Sequence, residues 1–590
     1  MMAMLVPALL FGSALAMFAF RLGMPHARDY DEGVYWESLR AMHRGHPLFG
    51  QVYSSQPPLF LPLAYAFFVP LGSTLVAARS GMVACALVGL VGMYAIGRAL
   101  GGRWGGLAAA VLLLTEPLYL MQARTLQAEA PSIGFATLSV GLAFFAVRTT
   151  TPRLRAAAAL LAGAAFTIAL LCKLLAIATI VPLALIALLA SRGTGRVRKA
   201  IVRDAAAFVL GVAMVGVPCA LALAPVMQHV AAQTFGLHFA AGTAYQAEEV
   251  HHLGDIEDAV RKPLALAALL GVLAAALRRD ANVVVPLGWL IATIVMLSRI
   301  VPLQPHHLVA LAPPLAALAG LALRPPQRSV AARAVVIAGG LTVALATFTG
   351  AAAERHVYRE EASRETIGAP VALERRALAG LRAATKPGEV VVTDAQFLAG
   401  LAGLDIPPPL VDTSFVRVRS GSLDAAALIA QTSAPDVCAV LFFSGRLTEP
   451  ELEPYRRWVA GHFARVAVYG PGMELWQRAA RSSASAVTAS SIRPSPHAAS
   501  ASAKGMRTIS MRSTSSGSSG AGESSRPRKS ATGCSTIEGI SYAKPSASQR
   551  AARTPTSSRA SRTAHASASS PGPRPPLTTS KTTASTAKRG

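Results

Sequence analysis

Residues 27 to 58, ARDYDEGVYWESLRAMHRGHPLFGQVYSSQPP, concentrate groups that could do chemistry. Asp29, Asp31, Glu32 and Glu37 lie among Arg28, Tyr35 and Trp36, between two apolar stretches. A carboxylate within hydrogen-bond reach of a hydroxyl can act as its base, and carboxylates also hold hard divalent cations. Asp31 and Glu32 are therefore the first catalytic candidates. The alternative for each is a solvated loop carboxylate. Glu129, in RTLQAEAPSIGF, precedes an apolar run by about two residues. An acidic group so close to a membrane is costly unless it faces protein or water. Lys173, in LLCKLLAIA, sits between two apolar runs. It could snorkel to an interface or meet a phosphate as a point charge. Arg124, Arg299, His306 and His307 could assist it. The adjacent histidines are a weak metal signal, because helix neighbours point in different directions.

These residues need elements to hold them, and the composition says which kind. The 590 residues are 52% hydrophobic and only 15% charged, against about 25% charged in an average soluble protein. Apolar runs long enough to cross a core of roughly 30 Å recur down to residue 350. The expected spans lie near 3–20, 75–97, 104–121, 131–147, 156–172, 174–190, 205–227, 263–277, 283–299, 307–323 and 333–350. The first is read as an uncleaved span, because no Lys or Arg precedes it. Residues 58–72 are too short between prolines and read as an interfacial helix.

Basic loops test this count. With residues 23–58 outside, the Arg-bearing connections at 98–103, 148–155, 192–203, 278–279 and 324–333 all fall on the cytoplasmic side, as retained positive charge demands. A crossing at 58–72 would invert them. The expectation is a helical polytopic membrane domain over 1–350, about eleven spans, in a plasma (inner) membrane. The first loop and everything after 351 would then be extracytoplasmic.

The net charge of +26 does not argue for nucleic acid, since 17 Lys and Arg against two Glu sit in residues 481–590. That Ser/Thr/Ala-rich tail cannot offset its ordering entropy by burial and reads as disordered. Five scattered cysteines indicate neither a disulfide framework nor a metal cluster. Residues 354–478 alternate helix-like and strand-like stretches, among them EVVVTD, VCAVLFFSG and a hairpin around Gly-Pro-Gly, predicting a small α/β domain.

Acidic groups and scattered cations at one membrane face suit attack by a hydroxyl on a lipid-borne sugar, with cations stabilising the departing phosphate. The pattern DYDEGVYWESLRAMHRGHPLF…SSQPPLF, followed by AARSGMVACALVGLVGMYAIGRALGGRWGGLAAAVLLLTEPLYLMQARTLQAEAPSIGF and LAGAAFTIALLCKLLAIATIVPLALIALL, resembles the GT-C glycosyltransferases. More narrowly, it is similar to the group of protein O-mannosyltransferases, aminoarabinose transferases and RgtA/B/C/D-like enzymes, over roughly residues 5 to 200 and more loosely to 350. The resemblance implies an inverting, extracytoplasmic transferase using polyprenyl-phosphate-linked sugar, with a lipid, glycan or protein acceptor.

It further implies Asp31 as general base with Glu32 beside it, Glu129 as the second-loop acidic residue, and Lys173 on the lipid phosphate. Some members of the family hold a divalent cation, Mg or Mn, which Asp31 and Glu129 would share here. Gln56 departs from the charged residue that some members carry before the proline pair, which puts that cation in doubt. The competing readings are a transporter or flippase of lipid-linked sugar, and a membrane scaffold. Transporters favour charges near the midplane on broken, repeated helices, whereas these charges collect at one surface.

Overall fold

The computed structural model describes residues 2–193, 198–245, 252–324, 330–366 and 369–478. The expected tail over 481–590 lies outside them. The chain begins with α1 (Met2–Ala19), α2 (Tyr30–His43), α3 (Phe60–Phe68), α4 (Leu75–Leu114), α5 (Pro117–Arg124), α6 (Glu129–Arg148), α7 (Pro152–Cys172) and α8 (Ile180–Gly193). It continues through α9 (Arg198–Leu223), α10 (Met227–Val230), α11 (Leu237–Ala244), α12 (His252–Ala259), α13 (Lys262–Arg278), α14 (Val284–Leu297), α15 (Ala312–Ala322) and α16 (Val330–Thr366).

Among the described residues, seven stretches are long and apolar enough to cross a membrane, against the eleven spans read from the sequence. Part of the difference is one residue. Two expected spans, 75–97 and 104–121, fall in or run on from α4, whose regular geometry breaks at Gly102 with φ 72. Only glycine takes that left-handed conformation at no steric cost. The chain folds back there, and Gly97 packs against Gly105 and Gly106. Elsewhere expected spans are shorter helices, as in the apolar runs Ala8–Ala19 and Ala281–Leu297. The nine residues of α3 reach only about 14 Å, so α3 cannot cross. Small residues set the packing. Gly163 faces Phe208, Gly211 faces Leu160 and Gly271 faces Leu318, each backbone to backbone. Close approach of this kind drives helix association where lipid is as apolar as leucine.

Three of the basic connections, at 148–155, 278–279 and 324–333, gather at one end. Arg278 donates to the carbonyls of Leu321 and Arg324, and Arg324 pairs with Asp280. Arg148, at the C-terminus of α6, lies within electrostatic reach of both Arg324 and Asp280. Glu129 begins the same 20-residue helix, about 30 Å away along its axis.

The stretch 23–58, expected as a loop, contains the 14-residue helix α2. α2 buries Val34, Tyr35, Trp36 and Leu39, and also Glu32 and Glu37. With apolar and acidic groups buried around its circumference, it shows no single-faced periodicity, and that is why the sequence hid it. Val34, Tyr35 and Trp36 pack with Phe60, Leu61, Met82 and Phe397. The last of these belongs to the α/β half. α2 is thus wedged between the two halves, and Gly33 approaches so closely that a Cβ would stand 2.7 Å from the Phe397 backbone nitrogen.

The expected boundary at 350–354 falls inside α16, a single 37-residue helix. Beyond it come α17 (Ala369–Ala384), β1 (Val390–Thr393), α18 (Gln396–Ala402), α19 (Phe415–Arg419), α20 (Ala425–Thr432), β2 (Val437–Phe442), α21 (Glu453–His462), β3 (Phe463–Gly470) and β4 (Met473–Arg478). The sheet order is β1-β2-β4-β3, with β1 parallel to β2 and the rest antiparallel. β1 (VVVT) and β2 (VCAVLF) are almost wholly buried, as apolar strands covered on both faces are.

Candidate active site

The start of α2 sorts three neighbouring carboxylates into different jobs. Asp29 is the N-cap, accepting from the Asp31 backbone N–H at 3.0 Å. Three residues on, Glu32 turns into the protein and is fully buried. Its carboxylate receives Nε and an Nη of Arg79, each at 2.8 Å, together with the backbone N–H groups of Arg28 and Leu126. Arg79, also buried, spends its other donors on the carbonyls of Leu22, Met24 and His26. Glu32 has no lone pair left for substrate, which corrects its expected catalytic role; it anchors the helix start. One residue earlier, about 100° around the helix, Asp31 faces a cavity instead.

Burial pushes the Asp31 carboxyl up, and the neighbouring Asp29 charge adds to this, to about 7. Asp29 goes the other way. Burial alone would raise it, but hydrogen bonding and charge from His306, with the Asp31 N–H, take it down to about 2. Adjacent carboxylates held so far apart give one that stays ionised and one poised as a base.

Glu129 opens α6 and is 2% exposed. Lys173, in the extended break after α7, is also buried and places Nζ on its carboxylate. His306 bridges this pair to α2, with Nδ1 3.4 Å from Asp29 Oδ2 and Nε2 3.6 Å from Glu129 Oε1. Asp29, Asp31, Glu129, Lys173 and His306, from four separate stretches, thus form one cluster. Arg124 is not in it. Fully buried, it pairs with Glu361 at 3.2 Å, donates to the Phe20 carbonyl and stacks on Tyr358. Its expected substrate contact is corrected to a strut between α5, α1 and α16.

Two cavities meet at Gln56, Lys173, His238 and His307, which line both. One, about 600 Å³, is walled by Leu174, Leu175, Ile177, Phe235, Phe239 and Met296, with Arg299 among them. Phe239 is 79% exposed and Ile177 45%, so this cavity opens on the apolar flank of the membrane half. The other, about 470 Å³, is polar. Asp29, Tyr30, Asp31 and His306 line it from the membrane half, and Asp412, Phe415, Arg419 and Arg446 from the α/β half. His238, Asp412 and Arg446 had no signal in the sequence beyond a lone polar residue in its run. Asp29 had one, as the N-cap in Asp-Tyr-Asp-Glu.

For a divalent cation, the expected pair Asp31 and Glu129 does not fit, because the Lys173 ammonium already neutralises Glu129. Asp29, Asp31 and His306 fit better, offering one ligand atom each within 4.8 Å of one another. A two-carboxylate, one-imidazole set suits Mn better than Mg.

Residues 55–219, which include Glu129 and Lys173 but not Asp31, match the family model described as dolichyl-phosphate-mannose-protein mannosyltransferase. The crystal structure of ArnT from Cupriavidus metallidurans bound to undecaprenyl phosphate superposes with a TM-score of 0.58 at 15% identity, over 80% of this chain and 98% of that one. The chain thus shares the GT-C fold of that protein. The apo state of the same ArnT gives a TM-score of 0.54 at 14% identity, over 81% and 98%. AglB from Archaeoglobus fulgidus, in complex with an inhibitory peptide and a dolichol-phosphate, covers 80% of this chain and 74% of its own at 12% identity. Its TM-score of 0.47 adds nothing to the assignment. No curated protein matches by sequence. At these identities the likeness establishes the GT-C fold and leaves the chemistry to the site.

Proposed function

We propose that this chain is an integral-membrane glycosyltransferase that moves a sugar from a polyprenyl-phosphate donor to a hydroxyl of a glycan, lipid or protein acceptor. The observation that carries this reading is the junction at Lys173 of an apolar cavity open to the membrane flank and a polar cavity holding Asp31. A prenyl chain fits the first, its phosphate reaches Lys173 and Arg299, and the sugar projects into the second. The membrane is the inner (plasma) membrane, with the site on its outer side. The basic ends gathered around Arg278 and Arg324 support this, because they sit at the opposite end of α6 from Glu129.

Asp31 takes the proton from the acceptor hydroxyl as its oxygen attacks the anomeric carbon. The bond from that carbon to the phosphate oxygen breaks on the opposite face, so the configuration inverts. The polyprenyl phosphate leaves with its charge balanced by Lys173 and Arg299, a stabilisation worth most in a site shielded from water. Glu129 holds Lys173 in place, and His306 keeps Asp29 ionised beside Asp31. A divalent cation, where one binds, would be held by Asp29, Asp31 and His306 and would supply Lewis acidity there.

The test is incubation of purified protein with polyprenyl-phosphate mannose and polyprenyl-phosphate aminoarabinose. Sugar release or transfer supports the reading; movement of intact donor across a vesicle membrane without cleavage overturns it. Lys173→Met is expected to weaken undecaprenyl phosphate binding by about tenfold or more, and to lower thermal stability by leaving the buried Glu129 unpaired. Adding Glu129→Gln should recover the stability without the binding. Recovery of both would remove Lys173 from the phosphate site.

The Asp31 value sets a pH dependence. With a chelator present to keep cations off the carboxylate, kcat/KM should fall about tenfold per unit as pH drops below about 7. Stability runs the opposite way. A carboxyl raised above its unfolded value contributes stability at acid pH that is lost as pH rises through about 7. A flat activity profile between pH 5 and 8 would remove Asp31 as the base.

A further inference from the structure

The polar cavity is lined by a cation, Arg446, that the reaction above leaves unused. Arg446 begins a short 3-10 turn after Gly445, whose φ of 90 aims the turn. Its guanidinium lies 3.5 Å from the Tyr30 ring centroid and 4.7 Å from that of Phe415. Tyr30 is itself fixed, receiving the backbone N–H of Thr413 at 3.2 Å and the Gln396 side-chain amide at 3.1 Å. Stacking holds the cation's plane but satisfies none of its N–H groups. Among the described residues Arg446 makes no hydrogen bond or ion pair, and its Nε is buried without a partner. Its neighbour Arg419, by contrast, is paired with Glu449 at 2.8 Å. Asp412, also on the cavity wall, turns its Oδ1 to the Ser414 N–H.

A guanidinium partly removed from water costs free energy unless its edge meets an anion. Here the faces are covered by rings, and the side chain lines an open cavity together with Asp31. That is the arrangement of a preorganised fork for a carboxylate or phosphate.

We propose that Arg446 is an acceptor-recognition residue, binding an anionic group on the acceptor, a carboxylate or a phosphate, in the same cavity where Asp31 activates the hydroxyl. This rests on the transferase reading above and narrows its acceptor to an acidic one. It also gives the α/β half a role, as the part that selects what Asp31 deprotonates. The lipid phosphate of the donor is a separate anion at Lys173, where the two cavities join.

The experiment uses the full chain in detergent, with galacturonic acid, glucose 6-phosphate and neutral galactose as probes, followed by saturation-transfer NMR. Undecaprenyl phosphate binding is measured in parallel. Wild type is expected to bind at least one acidic probe about tenfold more tightly than galactose. Arg446→Gln should abolish that preference, and Arg446→Lys should restore part of it. Undecaprenyl phosphate affinity should be unchanged in both variants, which also reports that they are folded. A preference for the uronic acid alone or the sugar phosphate alone supports the site and identifies its anion. Equal binding of acidic and neutral sugars by wild type, or a preference that survives Arg446→Gln, overturns the proposal. Failure of wild type to bind undecaprenyl phosphate would instead count against the transferase reading, whatever Arg446 does.

Discussion

Asp31→Asn is expected to lower sugar transfer by roughly 10²–10⁴-fold, the range for loss of a positioned general base, while the protein folds and binds undecaprenyl phosphate as before. The amide nearly matches the carboxylate in size but cannot accept the acceptor's proton. Asp29 cannot take over the task. It caps α2, engages His306, and is held down to about 2, which makes it a poor base at neutral pH. Glu32 cannot either, because Arg79 and two backbone N–H groups occupy its carboxylate. Asp29→Asn should therefore cost activity less than Asp31→Asn does, by disturbing the helix start and the His306 contact. The comparison is single-turnover transfer with both variants at pH 8, where Asp31 is ionised. If Asp31→Asn retains near-normal rates, the base lies elsewhere and the mechanism fails.

The largest loss of stability is expected from Arg79→Met. Removing one partner of a buried ion pair costs about 3–5 kcal/mol, because the charge left behind has no water. Glu32 would be that stranded charge, and three backbone carbonyls would lose their donors as well. The double variant Arg79→Met with Glu32→Gln should melt above the single variant, since no bare charge remains. It should still melt below wild type, because the carbonyls of Leu22, Met24 and His26 stay unpaired. Thermal unfolding of the purified proteins ranks the three. A single variant as stable as wild type would mean that the pair does not anchor α2. Activity should follow stability here, since the pair fixes the residue next to Asp31.

The division between Asp31 and Glu32 shows where reading the sequence stops. Both stood out as acidic residues beside a membrane, and their types and spacing made them equal candidates. Which one faces the cavity depends on Arg79, 47 positions on from Glu32, and no local pattern encodes that pairing. Arg124 illustrates the same limit. It was a reasonable cation for a phosphate, but its partner Glu361 lies 237 residues away. Glu129, Lys173 and His306 lie together, and each borders an apolar run, so hydrophobic length already marks them as groups at helix ends.

By itself the sequence determined the helical, apolar class of the first 350 residues, the α/β half with its strands, and which acidic and basic groups flank the apolar runs. Those follow from hydrophobic length and period, which are local properties of the chain. The turn at Gly102, the helical nature of residues 30–43, the two cavities joined at Lys173 and the role of Arg446 were decided only by tertiary packing. Each depends on groups hundreds of residues apart, or on a backbone conformation that composition does not specify. The opening acidic stretch is the meeting point of both: its residue types announced chemistry, and packing decided that Asp31 faces the cavity.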